Sequence, residues 1–120
     1  MSTEERRKYK RVKGDVALSI NDTVNNLITE SLDISVSGVS CKVSKKIPLM
    51  SKVVITLLLP RSGAKGKKAM NKVICEGVVV RIESIKDEPS HYLVGIFFKG
   101  IDKQEEKALE KYVSYVESQE

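Results

Sequence analysis

Six short runs with an apolar residue at every second position, followed by one run at helical spacing, constrain this chain more than any single residue does. Val16, Leu18 and Ile20 alternate with Ala17 and Ser19. Ile28, Leu32 and Ile34 share the parity of a second run, and Val39, Cys41 and Val43 form a third. Val53, Ile55, Leu57 and Leu59 make a fourth, closed by Pro60, and Val73 to Ile85 is a long β-branched fifth. Tyr92, Val94, Ile96 and Phe98 complete the set. Side chains of a strand point alternately to its two faces, so this period predicts half-buried strands. Asn21-Asp22, Lys45-Lys46-Ile47-Pro48 and Asp87-Glu88-Pro89-Ser90 are the turn-forming breaks between them. Residues 61–71, rich in Gly, Ser and Lys, read as a basic loop at a hairpin tip.

After Asp102 the period changes. Leu109, Tyr112, Val113 and Val116 recur at helical spacing, and Asp102 with Glu105 fits an N-cap and its N3 partner. Strands at short spacing followed by one helix predict a mainly β chain, a six-stranded antiparallel β-barrel with a C-terminal α-helix. Closing the sheet removes the edges that invite aggregation. A length of 120 residues suits one domain with one core. The reading divides it into a basic arm (1–11), a barrel (12–100) and a helix (101–118).

Charge is concentrated rather than spread. Six of the eight residues from Arg6 to Lys13 are Lys or Arg, within a net charge of +5. Such a block is either a solvated tail or the footprint of an anionic partner. Several function classes are disfavoured. Val53 to Leu59 is far short of the ~20 residues a membrane helix needs, and Met1 to Arg11 has no apolar core of a secretory signal. Cys41 and Cys75 form no C-x-x-C pair and have only His91 as a potential co-ligand, so no metal site is expected. Lone thiols in strand contexts fit a reducing compartment, and the expected location is cytoplasmic. There is no P-loop, no G-x-G-x-x-G and no nucleophile elbow, so no catalytic residue is assigned and the chain is not read as an enzyme.

Two motifs then stand out. Arg7 and Arg11 form R-x-x-x-R, and Asp33, Ser35 and Gly38 form D-x-S-x-x-G. Arginine stacks on purines through its planar guanidinium, donates a fork to guanine O6 and N7, and pairs with phosphate. A carboxylate accepts from the N1–H and N2–H₂ edge that guanine has and adenine lacks. Leu32 and Ile34, taken as inward, would turn Asp33 and Ser35 outward together. Gly38 is placed where the chain could turn with positive φ or let a ligand approach the backbone. Asp-x-Ser before Gly is also ordinary turn chemistry. In the fifth run, Val78, Val80 and Ile82 are expected on one face, with Gly77, Val79 and Arg81 on the other.

With the strand pattern that follows, these two motifs resemble the PilZ domain, a bacterial receptor for cyclic di-GMP. The likeness spans nearly the whole chain, and all five motif positions are filled. It implies a six-stranded barrel with a C-terminal helix and no cofactor. It also implies that Arg7 and Arg11 wrap the ligand while Asp33, Ser35 and Gly38 receive it on the barrel exterior. Arg6, just before the first motif, implies an intercalated dimer of cyclic di-GMP. The segments from Gly77 to Arg81 and from Gly95 to Phe98 also resemble family strands; Arg81 is read as either a ligand neighbour or a solvent-facing residue. The resemblance implies a signal passed to a protein partner in trans. Two other readings stay open: a small nucleic-acid-binding barrel, and a scaffold of this fold that binds only protein.

Overall fold

The computed structural model describes residues 11–13, 16–60 and 70–119. Among them lie seven strands and one helix. In order they are β1 (Val12–Lys13), β2 (Ala17–Asn21), β3 (Asn26–Ile34), β4 (Gly38–Val43), β5 (Lys52–Pro60), β6 (Met70–Ile85), β7 (Glu88–Lys99) and α1 (Lys103–Gln119). Six strands run β3-β2-β5-β6-β7-β4, and β4 pairs back to β3 to close an antiparallel barrel. The seventh, β1, is two residues long and pairs Val12 with Ile34 and Lys13 with Asp33. It lies along the same edge of β3 as β2, which takes Asn26 to Glu30.

The alternating residues fill the barrel as their period requires. Leu18, Ile20, Val39, Cys41, Val43, Val53, Ile55, Leu57, Leu59, Val73 and Val94 are all buried. Each such side chain contributes about 1.5–3 kcal/mol relative to exposure. The Asp22 carboxylate holds the β2–β3 turn by accepting from the backbone N–H groups of Val24 and Asn25, at 2.8 and 2.6 Å. The β6–β7 turn is shorter than its sequence suggested. Lys86 and Asp87 alone make it, with Asp87 in the left-handed region at φ 70°, and Glu88 already pairs with Ile85.

Helix α1 starts where the N-cap signal placed it. Asp102 Oδ1 accepts the Glu105 N–H at 2.9 Å. The Glu105 carboxylate does not return to close a capping box. It accepts the Ile74 N–H of β6 at 2.8 Å instead. The β6–β7 ladder begins only at Glu76 and Lys99, so β6 before that point lacks β7 as a partner. Glu105 satisfies one of those backbone donors while Leu109, Tyr112 and Val113 enter the core beside Val12.

Two expectations about strand faces are corrected by β-bulges. In β3 the inward side chain is Ser31, not Leu32, and the Ser31 hydroxyl accepts the Val16 N–H at 3.1 Å. The β3–β4 register shifts between Ser31 and Asp33. Leu32 is the extra residue and is 48% exposed, while Ile34 returns to the core. Ile28, expected to share that inward face, is 81% exposed. In β6 the register shifts between Val79 and Arg81, so Val80 and Arg81 both face out and Ile82 packs against the core. An inserted residue lets two successive side chains share one face, which uninterrupted alternation cannot do.

Candidate functional site

The bulge in β3 aims Asp33 outward. Had alternation continued from Ser31, Asp33 would have pointed inward and left its carboxylate in an apolar interior at a cost of several kcal/mol. On the outer wall it meets Arg11, which directly precedes β1. Because Lys13 pairs with Asp33 and Val12 with Ile34, the short strand delivers Arg11 beside the acid. Arg11 Nη1 donates to Asp33 Oδ1 at 3.1 Å. The side chains are 42% and 33% exposed, so the pair contributes only about 0–1 kcal/mol. It is weak enough for another ligand of the carboxylate to displace.

Ser35 is not beside Asp33 on the exposed wall. It is 1% exposed, a correction to the outward orientation read from the sequence. Its N–H donates to the Gly38 carbonyl at 2.9 Å. Its Oγ accepts the Ser37 N–H at 3.1 Å and shares a 3.0 Å hydrogen bond with Ser37 Oγ. The hydroxyl therefore organises the β3–β4 hairpin, the local bonding typical of a serine two residues before a turn amide. Gly38 is also corrected: it has no positive φ. A Cβ there would stand 2.4 Å from the Ile96 carbonyl oxygen of β7. The glycine allows β4 and β7 to approach at this rung.

Asp33, Ser40, Gly95 and Arg81 lie on successive strands of one rung, through Asp33–Ser40, Ser40–Gly95 and Gly95–Arg81 pairs. Two rungs along, Gly38 pairs with Phe97 and Phe97 with Val78. Around them is a shallow cleft of about 270 Å³ whose lining includes Arg11, Ser37, Gly38, Arg81, Gly95 and Phe97. Two cationic side chains, small-residue floor positions and one exposed aromatic ring suit a flat, anionic ligand. Arg6 and Arg7 lie outside the described residues. The role of Gly95 was missed from sequence, and so was the break in β6 that turns Val80 and Arg81 out together. The available signal was a parity break: buried Val79 and core-packed Ile82 are three residues apart, an odd spacing that two same-face residues in a regular strand cannot have.

Other chemistry is scarce in the described residues. They contain no cluster of three or more His, Cys, Asp or Glu side chains able to hold a metal. No helix among them is long and apolar enough to cross a membrane. Cys41 and Cys75 are free and buried. Burial pushes the Cys41 thiol up to about 12 and, helped by the Glu105 carboxylate, the Cys75 thiol up to about 11.

Comparison with known proteins gives one family and a consistent fold. The PilZ domain family matches residues 5–115. The Bacillus subtilis inhibitor of motility MotI/DgrA superposes with a TM-score of 0.82 at 18% identity, covering 96% of this chain and 53% of that one. The PilZ domain of YcgR from Escherichia coli, solved with c-di-GMP, gives 0.65 at 14% identity, covering 95% and 93%. The K. pneumonia MrkH–c-di-GMP complex gives 0.70 at 17% identity, covering 95% and 53%. The chain thus spans about half the length of MotI/DgrA and of MrkH. None of the curated proteins matches its sequence.

Proposed function

This chain belongs to the PilZ domain family, and from that premise we propose that it is a cytoplasmic cyclic di-GMP receptor that passes its signal to a partner protein and catalyses no reaction. The observation that carries this reading is the 3.1 Å contact between Arg11 and Asp33 on the outer barrel wall. It joins the last residue of R-x-x-x-R to the first of D-x-S-x-x-G. Two solved relatives, YcgR and MrkH, hold cyclic di-GMP.

On binding, a guanine presents N1–H and N2–H₂ to Asp33, and Arg11 exchanges its carboxylate for the purine face and a phosphate. Arg7 closes on the same ligand from the arm. Arg6 adds a third cation and stacking plane, which favours a second, intercalated nucleotide. Ser35 and Gly38 serve the ligand through the hairpin: the first fixes its turn, and the second sets the close strand approach beneath the cleft. Ordering an arm residue costs about 1–2 kcal/mol, so charge-assisted and stacking contacts must exceed that cost. The resulting surface of arm, ligand and barrel is what the partner reads.

Calorimetric titration with cyclic di-GMP and cyclic di-AMP tests the reading. Wild type should bind the guanine ligand and discriminate against the adenine one, because an unmatched polar edge beside a carboxylate is strongly disfavoured. Arg7→Ala and Arg11→Ala should abolish measurable binding without unfolding the barrel. Asp33→Ala should lose both affinity and base preference. Arg6→Leu should lower the stoichiometry toward one nucleotide per chain. No heat and no thermal shift with wild type would reject the receptor reading.

A further inference from the structure

The turn that leads into β5 holds two apolar side chains in water at a conformational cost. Ile47 is buried in the core and roots the segment. The Ser51 N–H and Ser51 Oγ both donate to the Pro48 carbonyl, at 3.2 and 2.6 Å. The Met50 N–H donates to the Val79 carbonyl at 2.7 Å, and the Val79 N–H donates to the Ser51 carbonyl at 3.0 Å. Fastened to β6 in this way, the turn presents Leu49 and Met50 outward, 56% and 71% exposed.

Met50 has φ 68°. As the third residue of the turn it takes the place that Gly or Asn fills at little cost. Asp87, the other non-glycine residue with positive φ among the described residues, is of a type that tolerates it. Methionine gains nothing from the backbone there and buries little, so the fold alone gives no reason for it. Backbone strain of this kind gathers at functional sites.

The surroundings are basic. Lys45, Lys46 and Lys52 flank the turn, all exposed, and the segment 45–52 has no acidic residue. The β2–β3 turn lies alongside, because Asn21 pairs with Val54, and it carries Val24, 83% exposed. Asp22, Thr23, Ser51 and Lys52 line one cleft between the two turns. The Asp22 carboxylate is engaged by the Val24 and Asn25 N–H groups. Glu76, on the same cleft, stands opposite Lys99. The charge left over is cationic.

We propose that this end of the barrel is a docking face for an anionic lipid surface: Leu49, Met50 and Val24 enter the boundary between headgroups and acyl chains, while Lys45, Lys46 and Lys52 pair with lipid phosphates. Apolar tips ringed by lysine suit a protein that lies on a charged bilayer without spanning it. A bilayer supplies both halves of the match at once, phosphates at the depth of the ammonium groups and hydrocarbon just beneath. Val80 follows the residue that fastens the turn and lines the Arg11 cleft, so docking sets that cleft close to the membrane.

Sedimentation of the full chain with vesicles tests this, using phosphatidylcholine alone and phosphatidylcholine mixed with phosphatidylglycerol, without nucleotide. Wild type should partition onto the mixed vesicles about tenfold or more better than onto neutral ones. The double variant Lys45→Gln, Lys46→Gln should lose about tenfold or more of that partition. Met50→Asn should lose about fivefold or more, with a thermal midpoint at or above wild type, because asparagine accepts the left-handed conformation. Met50→Asn partition within about twofold of wild type would overturn the proposal, since basic charge alone would then hold the vesicle. A lower thermal midpoint for that variant would overturn it too, because the side chain would then serve the fold. So would equal wild-type partition onto neutral vesicles, or none onto either kind; the last result would turn the face toward a protein partner. Measured without nucleotide, each of these failures leaves the receptor reading intact.

Discussion

Gly38 shows how a residue can sit in a binding motif for a reason the motif does not state. Its conformation is open to any amino acid, yet its missing side chain faces the Ile96 carbonyl at 2.4 Å. Gly38→Ala should therefore destabilise the fold by about 2 kcal/mol through forced strand separation, measured as a lower urea midpoint with an unchanged slope; full retention of stability would contradict the contact. The sequence put Asp33 on the outer wall by taking Leu32 as inward, whereas in the structure the β3 bulge turns it there with Leu32 exposed. The burial of Ser35 was not legible, because a serine before a turn serves loop and ligand chemistry with the same atoms. The cysteines, read from sequence as lone thiols in strands, are free and buried. With folded pKa values raised above 9.0, the neutral thiols contribute stability that is fully present below about pH 9 and is lost as pH rises toward 11–12, which thermal melting across that range measures.

At the scale of elements, the two bulges decide which side chains the outer wall displays. Deleting Leu32 would remove the inserted residue of β3, returning Asp33 to the inward parity of Ser31 or driving Ile34 out. Either outcome should cost about 3 kcal/mol or more, from a buried carboxylate or a lost core isoleucine. Leu32→Ser, at the same exposed position, should stay within about 0.5 kcal/mol. Urea unfolding of both variants checks the pair, and equal losses would mean that Leu32 acts through packing instead. The existence and order of the strands from β2 to β7, and helix α1, were readable because alternation and its change to helical spacing are local properties. The bulges were not placed, since each is a mismatch between two strands, and a single strand records it at most as an odd spacing such as that of Val79 and Ile82. Strand β1 was hidden for a related reason: its two residues are too few for a period, and they are strand only because Asp33 and Ile34 lie opposite.

For the molecule as a whole, charge and closure divide the work. The barrel closes through the β3–β4 pairing and is held by apolar burial, which salt weakens little, whereas the proposed ligand grip is electrostatic. Raising salt from about 50 to about 500 mM should weaken cyclic di-GMP binding by about tenfold through screening, while the thermal midpoint of the free protein stays nearly constant. Parallel titration and melting curves check this; a salt-independent affinity would mean that stacking alone holds the ligand. The closed ring could be anticipated from strand number and spacing. The wall that carries the cleft could not, because it is assembled from β3, β4, β6 and β7 across more than sixty residues of sequence. The place of β1 has a further consequence. Arg11 adjoins a strand clamped onto its acid and the next residue, Ile34, so its leash to Asp33 has a fixed and minimal length. The guanidinium's local concentration at the carboxylate is thereby set by covalent geometry, and a nucleotide arriving there competes with a neighbour that never diffuses away.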